Sequence, residues 1–108
     1  MTVYISVVSH EDTLEIIHDL QPHRLKSPEH QIVILDNCPA RELEIYASEH
    51  NLTYLANDNI QGFGATHNKV FHYCQHMLGM DVNKDWFVIL NPDLECDREA
   101  IEHLIDDM

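Results

Sequence analysis

Two apolar stretches of this sequence end in acidic and amide side chains. Asp36 and Asn37 follow the first stretch, and Asn91-Pro92-Asp93 follows the second, which runs Trp-Phe-Val-Ile-Leu without polar alternation. A carboxylate held just beyond the end of a buried strand can meet a metal ion and the phosphates that the metal carries. Asp93 is therefore a candidate metal ligand. Taken alone, its triplet is more typical of a strand followed by a proline turn.

A glycine-containing stretch, Asn57 to Gly64, lies between a predicted strand and a predicted helix. Gly62 and Gly64 permit backbone shapes and close approaches that a side chain would block. The helix that follows would present its first backbone N–H groups, which can receive an anion. A Gly-x-Gly pair is weak evidence alone, because it equally suits a plain loop into a helix.

The elements that must position these residues alternate between strand and helix. Four apolar runs, rich in β-branched and aromatic residues, are the predicted strands: Val3 to Val8, Ile32 to Leu35, Leu52 to Ala56, and Trp86 to Leu90. A helical pattern follows each run. This alternation predicts an α/β fold with a parallel sheet and right-handed crossovers.

Apolar stripes at helical spacing define the predicted helices. The first stripe contains Leu14, Ile17 and Leu20 and ends at Pro22. Pro39 is expected in the first turn of the second helix, and Asn51 is expected to stop it. The stripe of the third helix is predicted at Ala65, Asn68, Phe71, Cys74, Met77 and Leu78. In the last helix, capped by Asp97, it is Ile101, Leu104, Ile105 and Met108.

Composition and charge are those of one ordinary globular domain. The chain has 108 residues, 44% of them hydrophobic, and 19 acidic against 6 basic side chains give a net charge of -13. This balance argues against nucleic acid or an anionic membrane surface as a partner. It does not exclude a nucleotide, because a metal-bridged diphosphate needs only local charge compensation. No apolar stretch approaches membrane-spanning length, and no secretory signal is evident.

Cysteine and histidine spacing indicates neither a disulfide framework nor a zinc ribbon. Cys38, Cys74 and Cys96 lie far apart without a Cys-x-x-Cys pair, so a reducing, cytoplasmic compartment is expected. His72 and His76 lie one helical turn apart and could hold a metal ion together. Because no third ligand is evident, solvated or partly buried histidines are the favoured interpretation.

Three linked motifs resemble the N-terminal half of family 2 inverting glycosyltransferases with the GT-A fold, and most closely the rhamnosyltransferase-like branch. The motifs are Asp36-Asn37, Asn57-x-Asn59-x-x-Gly62-Phe63-Gly64-x-x-x-Asn68, and Leu90-Asn91-Pro92-Asp93. The resemblance covers essentially the whole chain, and together the motifs are far more specific than any one of them. It implies a Rossmann-like three-layer domain with strand order 3-2-1-4.

The resemblance also implies a site for a pyrimidine nucleotide-diphospho-sugar, UDP- or dTDP-linked. Asp36 would accept a hydrogen bond from the imide N–H of uracil or thymine, and Asp93 would hold Mg²⁺ or Mn²⁺ on the diphosphate. The positions implied to contact the nucleotide are Val8, Ser9, Asp36, Asn37, Gly62, Gly64, Asn68 and Asn91.

The acceptor-binding half and the later catalytic base of the family have no counterpart in residues 1–108. We therefore expect a single donor-binding half-domain, truncated after the Asn-Pro-Asp motif, with no catalytic residue of its own. Sugar transfer by these residues alone is not expected, because positioning and base catalysis each supply orders of magnitude in rate. The sequence leaves open whether the chain is a natural remnant or a piece of a longer protein.

Two alternatives from other classes stay open. A small phosphoacceptor signalling domain suits the length, but it needs an acidic pair at the end of the first strand, and Glu11-Asp12 stands too far beyond it. A non-catalytic association module derived from a transferase is the other. It would form a homodimer through Trp86 to Leu90, an apolar edge strand without a blunting lysine, or through the last helix.

Overall fold

The computed structural model describes residues 2–57 and 63–90, and within them four strands form one parallel sheet. The strands are β1 (Val3–Ser9), β2 (His30–Asp36), β3 (Thr53–Ala56) and β4 (Trp86–Leu90). Their order is β3-β2-β1-β4, and every pairing is parallel. The predicted α/β class and the strand order 3-2-1-4 are confirmed.

Strand register brings the carboxyl ends of three strands side by side. Ser9 of β1 pairs with Asp36 of β2, which pairs in turn with Ala56 of β3. β4 ends short of this edge, because its last residue, Leu90, pairs with Val7 and not with Ser9. Ligands of open parallel sheets bind beyond such carboxyl ends.

Helical segments cover both faces of the sheet. A π-helical segment (Glu15–Leu20) and a short 3₁₀ turn (Pro22–Arg24) follow β1, helix α1 (Arg41–Glu49) follows β2, and helix α2 (Phe63–Met77) precedes β4. The first three pack on one face and α2 packs on the other. This gives the predicted three layers. No helix in the described ranges is long and apolar enough to cross a membrane.

The two core clusters follow the alternation of side chains along β1 and β2, because successive residues of a strand point to opposite faces. The cluster beside α1 contains Val3, Ile5, Val7, Ile16, Leu20, Leu25, Ile32, Ile34, Leu43, Tyr46, Ala47, Leu52 and Leu90. The cluster beside α2 contains Tyr4, Val33, Leu35, Val70, Cys74 and Met80. Both central strands are therefore buried on two faces, which explains their uninterrupted apolar sequences.

The first predicted helix is present, but its buried face differs from the predicted one. The N–H of Gln21 donates to the carbonyl of Ile16, five residues back, at 2.9 Å, which is π-helical bonding. Ile16 and Leu20 are buried, whereas Leu14 is 61% exposed. The prediction that Leu14 faces the sheet is wrong, because the wider π turn changes which residues share a face.

The predicted stripe of α2 is also partly wrong. Thr66, Val70 and Cys74 are fully buried at helical spacing, whereas Asn68 is exposed and Met77 is 69% exposed. The predicted stripe began at Ala65 and Asn68, whereas the buried face reaches Cys74 through Thr66 and Val70. Cys74 was placed correctly in the core, and burial raises the pKa of its thiol to about 11.

The ends of α1 agree in part with the sequence. Pro39 lies before the helix, not in its first turn, because Ala40 is the extended N-cap residue with φ -121°. Asn51 adopts a left-handed conformation with φ 56° just after the helix, which confirms it as the stop.

β4 lies at an edge of the sheet that the described strands form. Trp86 and Val88 pack partly buried against the core, and Ile89 is 44% exposed. The predicted last helix, from Asp97 to Met108, lies outside the described residues. Homodimer formation through β4 or that helix stays a prediction.

Candidate functional site

The carboxyl ends of β1 and β2 bring three predicted site residues together. Ser9 and Asp36 are paired and fully buried, and the N–H of Asn37 donates to the main-chain oxygen of Ser9 at 2.9 Å. Val8, half-buried, directly precedes Ser9 on β1. These residues of β1 and β2 therefore form one contiguous polar region at the ligand-binding edge of the sheet.

The two carboxylate oxygens of Asp36 differ in their partners. Oδ2 accepts hydrogen bonds from the N–H of Ala40 at 2.9 Å and from the hydroxyl of Tyr54 at 2.8 Å. Oδ1 is buried and accepts no hydrogen bond from the part of the chain that the structure describes. Leaving a buried acceptor unmatched costs free energy that a ligand N–H would recover. Oδ1 thus retains unused capacity to accept a hydrogen bond.

Asp36 also organises the turn that leads into α1. Its bond to Ala40 spans four residues, and Ala40 has no side chain that could cap the helix. The main-chain oxygen of Ala40 in turn accepts from the N–H groups of Leu43 and Glu44. One carboxylate oxygen of Asp36 therefore stabilises the fold, while the other accepts no hydrogen bond within the described residues.

Tyr54 brings its hydroxyl to Asp36 from a neighbouring strand. The residue is half-buried on β3 and pairs with Ile34 of β2. Burial, followed by the hydrogen bond to the Asp36 carboxylate, raises the pKa of Tyr54 well above its usual value, so the phenol stays a donor. The ring also lines a pocket of about 210 Å³, together with Pro39, Ala40, Arg41, Glu44 and Ala56.

A network of amide groups extends the site from β2 toward α2. Asn57 Nδ2 donates to Asn37 Oδ1 at 2.7 Å, and the Asn57 N–H donates to the main-chain oxygen of Asp36 at 3.0 Å. The ammonium group of Lys69 on α2 donates to Asn57 Oδ1. Because ammonium groups only donate, this bond fixes which end of the Asn57 amide faces Asn37.

The turn after β1 is closed by its own side chains. Ser9 Oγ accepts the N–H of Asp12 at 3.2 Å, and Asp12 Oδ2 accepts the N–H of His10 at 2.8 Å. The Ser9 hydroxyl therefore already supports the loop beside the predicted base pocket. Asp12 supports the same loop, which gives it a structural function in place of the phosphoacceptor function considered above.

A buried hydroxyl–imidazole pair joins β1 to α2. Ser6 Oγ and His67 Nδ1 lie 2.7 Å apart, and both residues are buried. Burial lowers the pKa of His67 below its usual value, because the charged imidazolium would lose its hydration. His67 is therefore neutral at physiological pH.

We expect the free energy of unfolding to fall as pH is lowered from about 7.5 to about 5.5. The unfolded chain protonates its histidines near pH 6.5, whereas His67 in the folded chain resists protonation until a lower pH. The unfolded state thus binds more protons in this window, and stability decreases. The pKa of His23 is lowered as well, chiefly by burial, and adds to the loss.

Urea unfolding of three proteins across this window would check the pH dependence. His67→Gln keeps a hydrogen-bonding amide near Ser6 and should reduce the loss, by at most about 1.4 kcal/mol per pH unit for one proton. His72→Gln, an exposed position on the same helix, is the matched control and should leave the slope unchanged. Equal slopes in all three proteins would contradict this role of His67.

The remaining predicted site residues are placed less completely. Gly64 is the second residue of α2, and Asn68 is exposed on that helix. Gly62, Asn91 and Asp93 lie outside the described residues, so the predicted metal ligand stays a prediction. Within residues 2–57 and 63–90, no group of three or more His, Cys, Asp or Glu side chains is placed to hold a metal ion.

The two histidines of α2 that lie one helical turn apart are on the exposed side of that helix. His72 and His76 are both exposed, and their rings stack with centroids 6.0 Å apart. No third metal-binding side chain joins them within the described part of the chain.

Tyr54 and Lys69 are the residues of the site that sequence reasoning missed. Tyr54 lay within a predicted short strand and was given no role, and Lys69 was not singled out. The sequence held a weak signal for Tyr54. Its strand is predicted to end near acidic and amide residues, and a buried tyrosine hydroxyl usually finds a polar partner. Nothing in the sequence indicated Lys69.

The fold is that of an α/β domain with a parallel sheet, and its candidate site lies at the carboxyl ends of the strands, where such sheets commonly bind ligands. The family model of glycosyl transferase family 2 matches residues 4–108. The match spans nearly the whole chain, and the chain belongs to this family. No curated protein gave a significant match in comparison with the chain.

Proposed function

We propose that this chain binds the nucleotide of a pyrimidine nucleoside-diphospho-sugar, as the donor-binding part of a family 2 glycosyltransferase. The observation that carries the proposal is Asp36 Oδ1, a buried carboxylate oxygen without a donor among the described residues. Uracil and thymine offer an imide N–H to such an oxygen. Cytosine presents a ring acceptor at the same position and would be repelled by it.

Membership of the family supports the sugar-nucleotide class of ligand. The three motifs named above support the rhamnosyltransferase-like branch and a UDP- or dTDP-linked donor. Neighbouring groups are suited to a nucleoside, since Ser9 and Asn37 flank Asp36 at the sheet edge. The proposed nucleoside contacts are Val8, Ser9, Asp36, Asn37, Gly62, Gly64, Asn68 and Asn91.

A divalent cation, Mg²⁺ or Mn²⁺, is proposed to accompany the diphosphate, with Asp93 as its protein ligand. Both cations prefer oxygen ligands, and Mg²⁺ typically binds one or two carboxylates together with phosphates. The chain carries a net charge of -13, so a bare diphosphate would meet net repulsion. A bound cation would reverse that local balance.

Titration with UDP and dTDP, in the presence of Mg²⁺ or Mn²⁺, tests the proposed function. We expect both nucleotides to shift the backbone amide resonances of Ser9, Asp36 and Asn37, with affinity in the micromolar to millimolar range, about -8 to -4 kcal/mol. CDP and ADP are the controls, because each presents a ring acceptor in place of the imide N–H. Equal shifts with all four nucleotides, or none near Asp36, would contradict the proposal.

The cation is tested in the same titration by its omission and by Asp93→Ala. In the wild-type chain, omission of the cation should weaken UDP binding while the preference over CDP remains. In Asp93→Ala, addition of the cation should no longer strengthen binding. Undiminished cation dependence in the variant would exclude Asp93 as the ligand and leave the base site unaffected.

A further inference from the structure

We propose that Tyr54 is a positioning residue that sets the base preference of this site. It holds the Asp36 carboxylate in one orientation, so that Oδ1 alone is presented to the base. This inference rests on the proposed function, because it concerns the same nucleotide site. It assigns the preference to a side chain on β3, outside the three motifs.

The orientation of a carboxylate is not fixed by its own chain. Rotation about the Cβ–Cγ bond of an aspartate is broad, so the two oxygens can exchange places unless partners prevent it. The N–H of Ala40 could bond either oxygen of Asp36 after such a rotation. With the Ala40 N–H as its only donor, the carboxylate would keep one hydrogen bond but could still rotate about the Cβ–Cγ bond.

Tyr54 removes this freedom because it approaches from a different element. Its hydroxyl reaches Oδ2 from β3 at 2.8 Å, whereas Ala40 reaches the same oxygen from the loop before α1 at 2.9 Å. The pairing of Tyr54 with Ile34 anchors the strand that carries the ring. Two donors from two elements converge on one oxygen, and the other oxygen is left without a donor within the described ranges.

The phenol is suited to this function over a wide range of pH. A hydroxyl can donate or accept, but next to a carboxylate it must donate. Because the pKa of Tyr54 is raised, the hydroxyl remains protonated well above neutral pH. The free oxygen of Asp36 therefore stays an acceptor, and we expect the uracil preference to stay constant between about pH 6.5 and about 9.

Tyr54→Phe isolates the hydroxyl, because phenylalanine retains the ring that packs beside the core. The variant carboxylate can rotate away from the ring acceptor of cytosine, which relieves the repulsion. It also presents a less ordered acceptor to uracil. We expect the ratio of the CDP and UDP dissociation constants to fall about tenfold, equivalent to about 1.4 kcal/mol of lost discrimination.

Tyr46→Phe is the matched control within the same chain. Tyr46 is a buried tyrosine on α1 whose hydroxyl is also hydrogen bonded, accepting the N–H of His23 at 3.0 Å and lying 2.6 Å from its Nδ1. Its loss should lower the melting temperature comparably, without altering the CDP-to-UDP ratio. A fall of the ratio confined to Tyr54→Phe distinguishes positioning from general loosening of the fold.

A second measurement uses the wild-type chain and does not depend on the folding of a variant. The ¹³Cζ resonance of Tyr54 reports its hydrogen bond to Asp36, and UDP bound at Oδ1 should shift it. The corresponding resonance of Tyr46 should not move, and CDP at the same concentration should leave both in place.

The outcomes separate this inference from the function on which it rests. If the wild-type chain prefers UDP but Tyr54→Phe keeps the full ratio, or Tyr46→Phe lowers it equally, the positioning role is overturned and the nucleotide site stands. A Tyr54 resonance unmoved at saturating UDP would likewise overturn it. If the wild-type chain shows no preference for UDP over CDP, the proposed function and the role of Tyr54 both fail.

Discussion

Asp36→Asn is expected to invert the base preference of the site from uracil to cytosine. The asparagine oxygen should replace Oδ2, because Ala40 and Tyr54 both donate at that position. The amide nitrogen then occupies the place of the unpartnered oxygen and donates where the wild-type chain accepts. Cytosine offers an acceptor to that nitrogen, whereas the imide N–H of uracil opposes it. UDP binding should weaken by about 1–3 kcal/mol, roughly fivefold to 150-fold.

Isothermal titration of the variant with UDP and CDP measures this inversion directly. Asp85→Asn is the matched control, because Asp85 likewise accepts two hydrogen bonds, in its case from the main-chain N–H groups of Thr2 and Asp81, each at 2.8 Å. Asp85 directly precedes β4, at the amino end of the strand and away from the carboxyl ends that form the site. The control should lose stability without changing base preference. A variant at Asp36 that still prefers UDP would contradict the assignment of Oδ1 to the base.

The two functions of Asp36 explain why substitution by alanine is less informative. Alanine would remove the acceptor for a base and also the bonds to Ala40 and Tyr54. Loss of nucleotide binding would then accompany disorder of the turn into α1. Asparagine retains one acceptor for the turn, so its effect on binding is separable from its effect on the fold.

Ile5→Ala is expected to cause the largest loss of stability of any substitution considered for this chain. Ile5 is fully buried in β1, between Ile32 of β2 and Val88 of β4, and belongs to the larger core cluster. Truncation of such a side chain removes buried apolar surface and leaves a cavity, at a cost of about 2–5 kcal/mol. Natural domains are stable by only about 5–15 kcal/mol, so the variant should be close to unfolding.

Urea unfolding compared with Ile89→Ala would check this expectation. Ile89 has the same chemistry and lies in the same sheet, but it is 44% exposed on β4. Its truncation should cost much less, since partly exposed side chains lose little buried area and leave no closed cavity. If Ile5→Ala and Ile89→Ala lower the free energy of unfolding equally, the expectation is contradicted, and Ile89 must be more fully packed than its exposed fraction indicates.

Apolar patterning by itself determined the class of fold and the location of the site. The uninterrupted run before Asp36 indicated a strand buried on two faces, and the alternation with helices indicated a parallel sheet. The run before Asn91 was expected to be buried in the same way, but it forms the edge strand β4, whose Ile89 is 44% exposed. An acidic residue that directly follows such a run must lie at the carboxyl edge, because the strand fixes where the chain emerges. These inferences depend on local burial and on chain direction, and both are legible in a sequence.

Helix faces were predicted less well. The predicted stripe of the first helix assumed the usual α-helical period, whereas the segment that follows Leu14 is π-helical and Leu14 itself is exposed. On α2 the predicted stripe included Asn68 and Met77, which are exposed, and omitted Thr66 and His67, which are buried. The polar ring of His67 can be buried because Ser6, 61 residues away, lies within hydrogen-bond distance of it. A buried polar group needs a partner, and the partner is set by tertiary structure.

Only the tertiary structure decided which polar atoms of the candidate site have hydrogen-bond partners among the described residues and which do not. Tyr54 meets Asp36 across 18 residues, and Lys69 meets Asn57 from a different element. These two hydrogen bonds depend on strand register and on the packing of α2 against the sheet. A local sequence pattern predicts neither of them. The sequence indicated that Asp36 stands at the edge. The convergence of two donors on its Oδ2 left Oδ1 without a donor among the described residues.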